Sequence, residues 1–234
     1  MKAAVMQPYF FPYIGYFQLL AAVDVFVILD DVNFIKRGWI NRNNILLRGA
    51  PHLFSLPLEK ASQNRLICET KLNFSNKDKD KFLKTIQVAY KKATHYSKFY
   101  EVLESIIWYD DVDLTSFIHN SFDVVCSYLD VDAKIVRSSK LDKNDSLKAQ
   151  ERIIEICKIV GADLYINPPG GKELYVDSDF EKNNINLKFI VTNLNSVAYK
   201  QFGSNFVPRL SFIDVLMFNS KDEIKEMLQQ YHLA

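Results

Sequence analysis

Apolar residues along this chain repeat with two different periods. "AAVM" (3–6) and "VFVIL" (25–29) are short continuous apolar runs of the kind that form strands buried on both faces. Between them, "YIGYFQLLAAV" (13–23) places its apolar residues at helical spacing. Strand, loop, helix and strand in this order predict a βαβ unit with a right-handed crossover. "NILLRGAPHLFSLPLE" (44–59) has two extended runs around Gly49-Ala50-Pro51 and predicts a hairpin. Helical spacing then runs through Phe82, Ile86 and Tyr90 and continues over 97–109 and 113–129. "AKIVRS" predicts a strand. In "DSLKAQERIIEICKIVGA", Asp145 or Ser146 is the expected cap of a helix that Gly161 stops. "DLYIN" and "NLKFIVTN" predict two more strands, with a short helix at 178–183, and the chain ends in two helices broken at Asn219-Ser220.

This alternation predicts a single α/β domain over 1–234, with a mostly parallel sheet of Rossmann-like type. A helical insertion or cap is expected at about 77–129. Composition narrows the class. The chain has 234 residues, 48% hydrophobic and 24% charged, with net charge +1. That balance gives no electrostatic footprint for nucleic acid or an anionic membrane. No apolar run reaches the ~20 residues a membrane span needs, and Gln7 and Pro8 break any leader-like stretch, so a cytoplasmic protein is expected. The three cysteines stand singly, without metal-ligand spacing, as reduced core thiols.

Three loops fall where strands end, which is where open α/β sheets bind ligands. The first, "MQPYFFPYIGY", offers Gln7, Pro8, Tyr13, Gly15 and Tyr16. Gly15 at a helix start admits a ligand to the backbone, and free first-turn N–H groups suit an anion. The second, "DDVNFIKRGWINRNN", offers Asp30 as a base or Mg²⁺ ligand, Arg42 as a phosphate partner, Trp39 as a stacking plane, and Asn41 and Asn43 as recognition amides. The third, "YINPPGGKELY", offers Asn167, Gly170, Gly171, Lys172 and Tyr175 as an anion-binding turn, without P-loop spacing. Beyond the loops, His95 is the candidate titrating base among four histidines. Ser211 and Asp214 have capping-box spacing at a helix start. No serine sits in a nucleophile elbow.

The segments "MQPYFFPYIGYFQLL", "VDVFVILDDVNFIKRGWINRN", "GADLYINPPGGKELY" and "FVPRLSFIDVLM" together resemble the WbqC-like protein family, over essentially the whole chain. The resemblance implies a role in bacterial surface-polysaccharide (O-antigen or capsule) biosynthesis, with glycine transfer as a label on some members. It therefore implies a transferase or ATP-dependent ligase attaching a small acyl group such as glycine to a nucleotide-linked amino sugar. The alternative is a non-catalytic module binding a sugar nucleotide or a partner enzyme. The arrangement "P-x-x-x-x-Y-I-G-Y" is also similar to the phosphate-holding H-x-G-H of nucleotidylyltransferases, with Tyr13 and Tyr16 at the histidine positions. On that likeness ATP and Mg²⁺ are the candidate cofactors. Asp30, Tyr16 and His95 are the candidate catalytic residues. Gln7, Pro8, Tyr13, Gly15, Trp39, Asn41, Arg42, Asn43, Asn167, Gly170, Gly171, Lys172, Tyr175 and Ser211 are the candidate substrate contacts.

Overall fold

The computed structural model describes residues 1–203 and 205–234. Six strands form the central sheet: β1 (Lys2–Met6), β2 (Val25–Ile28), β5 (Lys134–Arg137), β6 (Leu164–Asn167), β7 (Asn186–Thr192) and β8 (Tyr231–Leu233). Their order is β5-β2-β1-β6-β7-β8, parallel except for the β7–β8 pair. Counted along the sheet, this is the 3-2-1-4-5-6 order of a Rossmann-like sheet, and it reverses direction between β1 and β6. The expected hairpin forms as β3 (Arg42–Leu47) and β4 (Ala50–Ser55), but it pairs with itself and stands apart from the main sheet.

Among the described residues, eight helices accompany these strands: α1 (Ile14–Ala21), α2 (Asn76–Tyr90), α3 (Tyr96–Ile107), α4 (Leu114–Leu129), α5 (Ala149–Val160), α6 (Asp177–Glu181), α7 (Phe212–Phe218) and α8 (Lys221–Leu228). Strand alternation divides the apolar residues between two cores. Ala4, Phe26 and Ile28 face the larger core with α1–α4, α7 and α8, whereas Ala3, Val5, Val25 and Val27 face a smaller one under α5 and α6. Aromatic packing fills the larger core. Phe17 stacks on Phe212 at 4.0 Å, and Phe122 of α4 meets Phe26 of β2 at 6.3 Å.

α4 packs a ring on β2 and runs into β5, and with the hairpin, α2 and α3 it fills the connection between β2 and β5. The cap expected at Asp145 or Ser146 is displaced. Asn144 Oδ1 accepts from the backbone N–H and hydroxyl of Ser146 at 3.0 and 2.7 Å, and that local turn delays the helix to Ala149. The break at Asn219-Ser220 is as expected, with Ser220 and Glu223 forming a reciprocal capping box.

Candidate functional site

The loop after β1 passes the point where the strand order reverses, and it is heavily fastened. Pro8, Pro12 and the rings of Phe10 and Phe11 are buried. Phe11 adopts a left-handed backbone with φ 44°, which costs a non-glycine residue free energy. Its carbonyl accepts from Asn43 Nδ2 at 2.7 Å and from Ser211 Oγ at 2.9 Å, and the next carbonyl, of Pro12, accepts from Phe212 N–H at 2.8 Å. Tyr16, 3% exposed, donates its hydroxyl to the Gln7 carbonyl at 2.8 Å. Burial, and the neighbouring Tyr9, push the Tyr16 phenol well above its usual range. Tyr16, Asn43 and Ser211 thus hold the loop in shape. The exposed Tyr13 ring folds over Gly15, where any β-carbon would overlap it. No side chain caps α1. The Gln7 side chain makes no hydrogen bond among the described residues.

The loop after β2 begins with two adjacent carboxylates and two different partner sets. Asp30 is fully buried. Its oxygens accept from Arg137 Nε at 2.8 Å, Ser139 N–H at 2.9 Å and Ser139 Oγ at 2.8 Å, while its backbone N–H donates to Ser138 Oγ at 3.2 Å and the Ser138 hydroxyl turns to Asp31. Arg137 also reaches Asp113 at 3.3 Å. Asp31 pairs with Lys143 at 2.5 Å and faces Arg152 at 3.9 Å. Burial alone would raise the Asp31 carboxyl, but hydrogen bonds from Lys143 and Ser138 and the charges of Lys143 and Arg152 hold it below the usual range. Farther along, Arg42 donates Nε to the Gly38 carbonyl at 2.9 Å and Nη2 to the Arg37 carbonyl, with its guanidinium 5.7 Å from the Trp39 ring. Arg42 therefore closes the turn that displays Trp39, itself 48% exposed. Asn41 donates to the Leu56 carbonyl at 2.8 Å and ties this loop to the hairpin.

The loop after β6 is a tight turn over Pro169–Leu174. Asn167, 5% exposed, accepts at Oδ1 from the Tyr165 hydroxyl at 3.3 Å, which lies 3.2 Å from the Tyr175 hydroxyl. Tyr165 also stacks on Phe180 at 5.6 Å. Gly171 is buried against the Asn167 amide, whereas Gly170 and Lys172 are exposed.

The structure brings the β1 and β6 loops to adjacent strands and joins the β2 loop to them through the Phe10 N–H to Ile40 carbonyl bond at 3.0 Å. His95 stands elsewhere. It precedes α3, its N–H bonds the Met217 carbonyl at 3.0 Å, and its ring makes no hydrogen bond to another candidate residue. Two cavities are lined by other residues altogether. One of about 620 Å³ lies between α5 and α6, beside Gln150, Ile154, Lys158 and Asp179. One of about 260 Å³ lies between the hairpin and α2, beside Leu53, Phe54 and Phe82.

Sequence reasoning missed the partners rather than the loops. Arg137 ends β5 and Ser138, Ser139 and Lys143 follow it, more than 100 residues after the carboxylates they bind, and nothing local marks them. Asp214 has capping-box spacing from Ser211, yet its carboxylate turns inward. It accepts from Tyr90 at 2.7 Å, Tyr199 at 2.5 Å and Gln201 at 2.7 Å, and burial raises it above the usual carboxylate range. Ser211 alone caps α7, at Ile213 N–H. Burial pushes the thiols of Cys126 and Cys157 up to about 12 and that of Cys68 to about 11.

Compared with known proteins, residues 7–226 match the model of the WbqC-like protein family. The chain is also similar to the uncharacterized protein Rv1507c of Mycobacterium tuberculosis, at 26% identity over 230 residues, covering 97% of each chain. No solved structure matches it.

Proposed function

The chain belongs to the WbqC-like protein family, and from that premise we propose that it transfers a small acyl group, such as glycyl, from an activated ester or thioester donor, whose alcohol or thiol leaves, to the amine of a nucleotide-linked amino sugar in surface-polysaccharide assembly, in the cytoplasm. One observation carries the reading: the strand order reverses between β1 and β6, and the two most distinctive motif loops flank that point. There the uncapped start of α1 and Lys172 would hold the anionic part of the ligand, and Trp39 would stack on its base or sugar. Gln7, Tyr13 and Asn167 would orient the sugar. Tyr16, Asn43, Arg42 and Ser211 would act through the loops they fasten, and Asp30 by anchoring the β2 loop to the end of β5.

The residues present do not fit the proposed ATP and Mg²⁺ arrangement. Of the two tyrosines at the phosphate-holding positions, Tyr16 is sealed in the core and bonded to Gln7. Asp30 is fully buried and already receives three hydrogen bonds, leaving no open carboxylate for a cation.

The same commitments favour a second reading. Asp30 and Tyr16 are bound within the chain and His95 lies apart, which suits a module that binds the sugar nucleotide without altering it. Incubating the protein with an amino-sugar nucleotide and a glycyl ester or thioester separates the two. A mass gain of one glycyl group on the sugar supports the transferase. Saturable sugar-nucleotide binding with no product, even with activated glycine supplied, supports the module. In either case Lys172→Ala is expected to weaken nucleotide binding about tenfold, and unchanged binding would remove Lys172 from the site.

A further inference from the structure

Asn167 ends β6 at the reversal point, and its amide has a defined direction. The Tyr175–Tyr165 hydroxyl pair donates into Oδ1, so Nδ2 faces Gly171. A β-carbon at position 171 would overlap Nδ2, which makes the glycine a requirement of the amide rather than of the turn, because no left-handed φ occurs there. Nδ2 finds no acceptor among the described residues, and it is not sealed from solvent. A buried amide normally satisfies both ends. Here one end is fixed and the other is an oriented donor without an acceptor.

Gln7 supplies a second carboxamide. Gln7 is the first residue after β1, the strand that neighbours β6, and its side chain makes no hydrogen bond among the described residues. The groups around the Asn167 amide, Tyr165, Tyr175 and Gly171, are neutral, and Lys172 of the same turn is exposed. The partly buried cations near the end of β5 are committed, Arg137 to Asp30 and Asp113, and Lys143 and Arg152 to Asp31. A phosphate at the buried amide would lack a counter-charge, which Lys172 supplies only at the exposed rim. A ligand amide would not, since its carbonyl needs one donor and its N–H one acceptor.

We infer that Asn167 and Gln7 recognise the acylamino group of a nucleotide-linked sugar, Asn167 Nδ2 donating to the carbonyl oxygen and Gln7 Oε1 accepting from the N–H. This rests on the placement of the sugar nucleotide at the β1–β6 reversal. It adds the substrate class: an N-acylated sugar, as bound product or as a substrate already acylated at one amine.

The test is calorimetric titration with UDP-N-acetylglucosamine, UDP-glucosamine and UDP-glucose, beside ¹⁵N–¹H spectra of side-chain amides. Wild type should bind the acetamido nucleotide about tenfold more tightly than the other two, the value of one well-made hydrogen bond. Asn167→Asp should abolish that preference. The NH₂ signal pair lost in Asn167→Asp should shift when the acetamido nucleotide is added to wild type. Tyr165→Phe keeps the packing but releases the amide, so the preference should fall to about threefold. Equal binding of all three nucleotides, a preference that survives Asn167→Asp, or amide signals that stay still at saturation would overturn the inference and leave the nucleotide site standing. Failure of wild type to bind any of the three at millimolar concentration would overturn both. If Asn167→Asp does not fold, the Tyr165→Phe preference and the wild-type signal shift, with signals assigned through the backbone, decide the matter.

Discussion

Asp31 and Asp214 are both largely buried carboxylates, and the protein treats them in opposite ways. Asp31 sits at a sheet edge against Lys143 and Arg152, and its carboxyl is held below the usual range. Asp214 lies in the core against two tyrosines and a glutamine, all neutral donors, and its carboxyl is raised. The number of contacts does not set the direction. Neutral donors satisfy the lone pairs without returning the solvation a charge loses, whereas a cation does. The Asp31 cluster therefore gains from ionisation, and the Asp214 cluster tolerates it in exchange for tying the hairpin, α2, α7 and the 199–201 segment together through Tyr90, which also accepts from the Leu46 N–H at 2.8 Å.

The largest disturbance should come from Asp214→Ala. It strands three buried donors at once and should cost about 3–5 kcal/mol in urea unfolding at neutral pH; a loss under about 1 kcal/mol would show that the tyrosines find other partners. Lys143→Met should come next, at roughly 2 kcal/mol, below the loss for a fully buried pair because Arg152 still faces Asp31. A stability equal to wild type would mean that Arg152 alone neutralises the carboxylate.

The pH dependence should separate the two clusters with an effect on the order of 1 kcal/mol. A raised carboxyl such as Asp214 opposes folding above its folded pKa, and that opposition is relieved as pH falls through it. A lowered carboxyl such as Asp31 contributes stability above its unfolded pKa and loses it as pH falls toward its folded one. Unfolding midpoints measured downward from pH 7 should thus hold or rise until the ordinary carboxylate range, then fall. Asp214→Asn should remove the upper feature and spare the lower one, and a profile unchanged in both limbs would contradict the assignment. Smallest of all, Tyr199→Phe removes one donor from a carboxylate that keeps two, for about 1 kcal/mol.

The elements were legible where local pattern decides them. β1, α1 and β2 followed from apolar period, and the α7–α8 break falls at Asn219-Ser220 as expected, where Ser220 and Glu223 form the reciprocal cap. β8 was not, because three residues, Tyr231–Leu233, carry no period and become a strand only by pairing with β7. α4 was visible as a helix, but its place on the sheet depended on the register of distant strands. The loops of the candidate site were visible from composition, whereas the roles within them were not. Trp39 and Lys172 look the same in sequence and structure, both exposed. Tyr16, Asn43 and Ser211 read as ligand contacts because they are polar residues in motifs, and only the fold discloses that their partners are backbone carbonyls.

The Phe11 carbonyl has a further consequence. One backbone oxygen joins segments 32 and 200 residues away, so Asn43 and Ser211 substitutions should combine non-additively, the second doing less once the first has let the strained turn relax. A loop fastened in this way cannot mould itself around its guest. It is preorganised: the ordering entropy is met during folding, and selectivity falls to the shape of the molecule that enters.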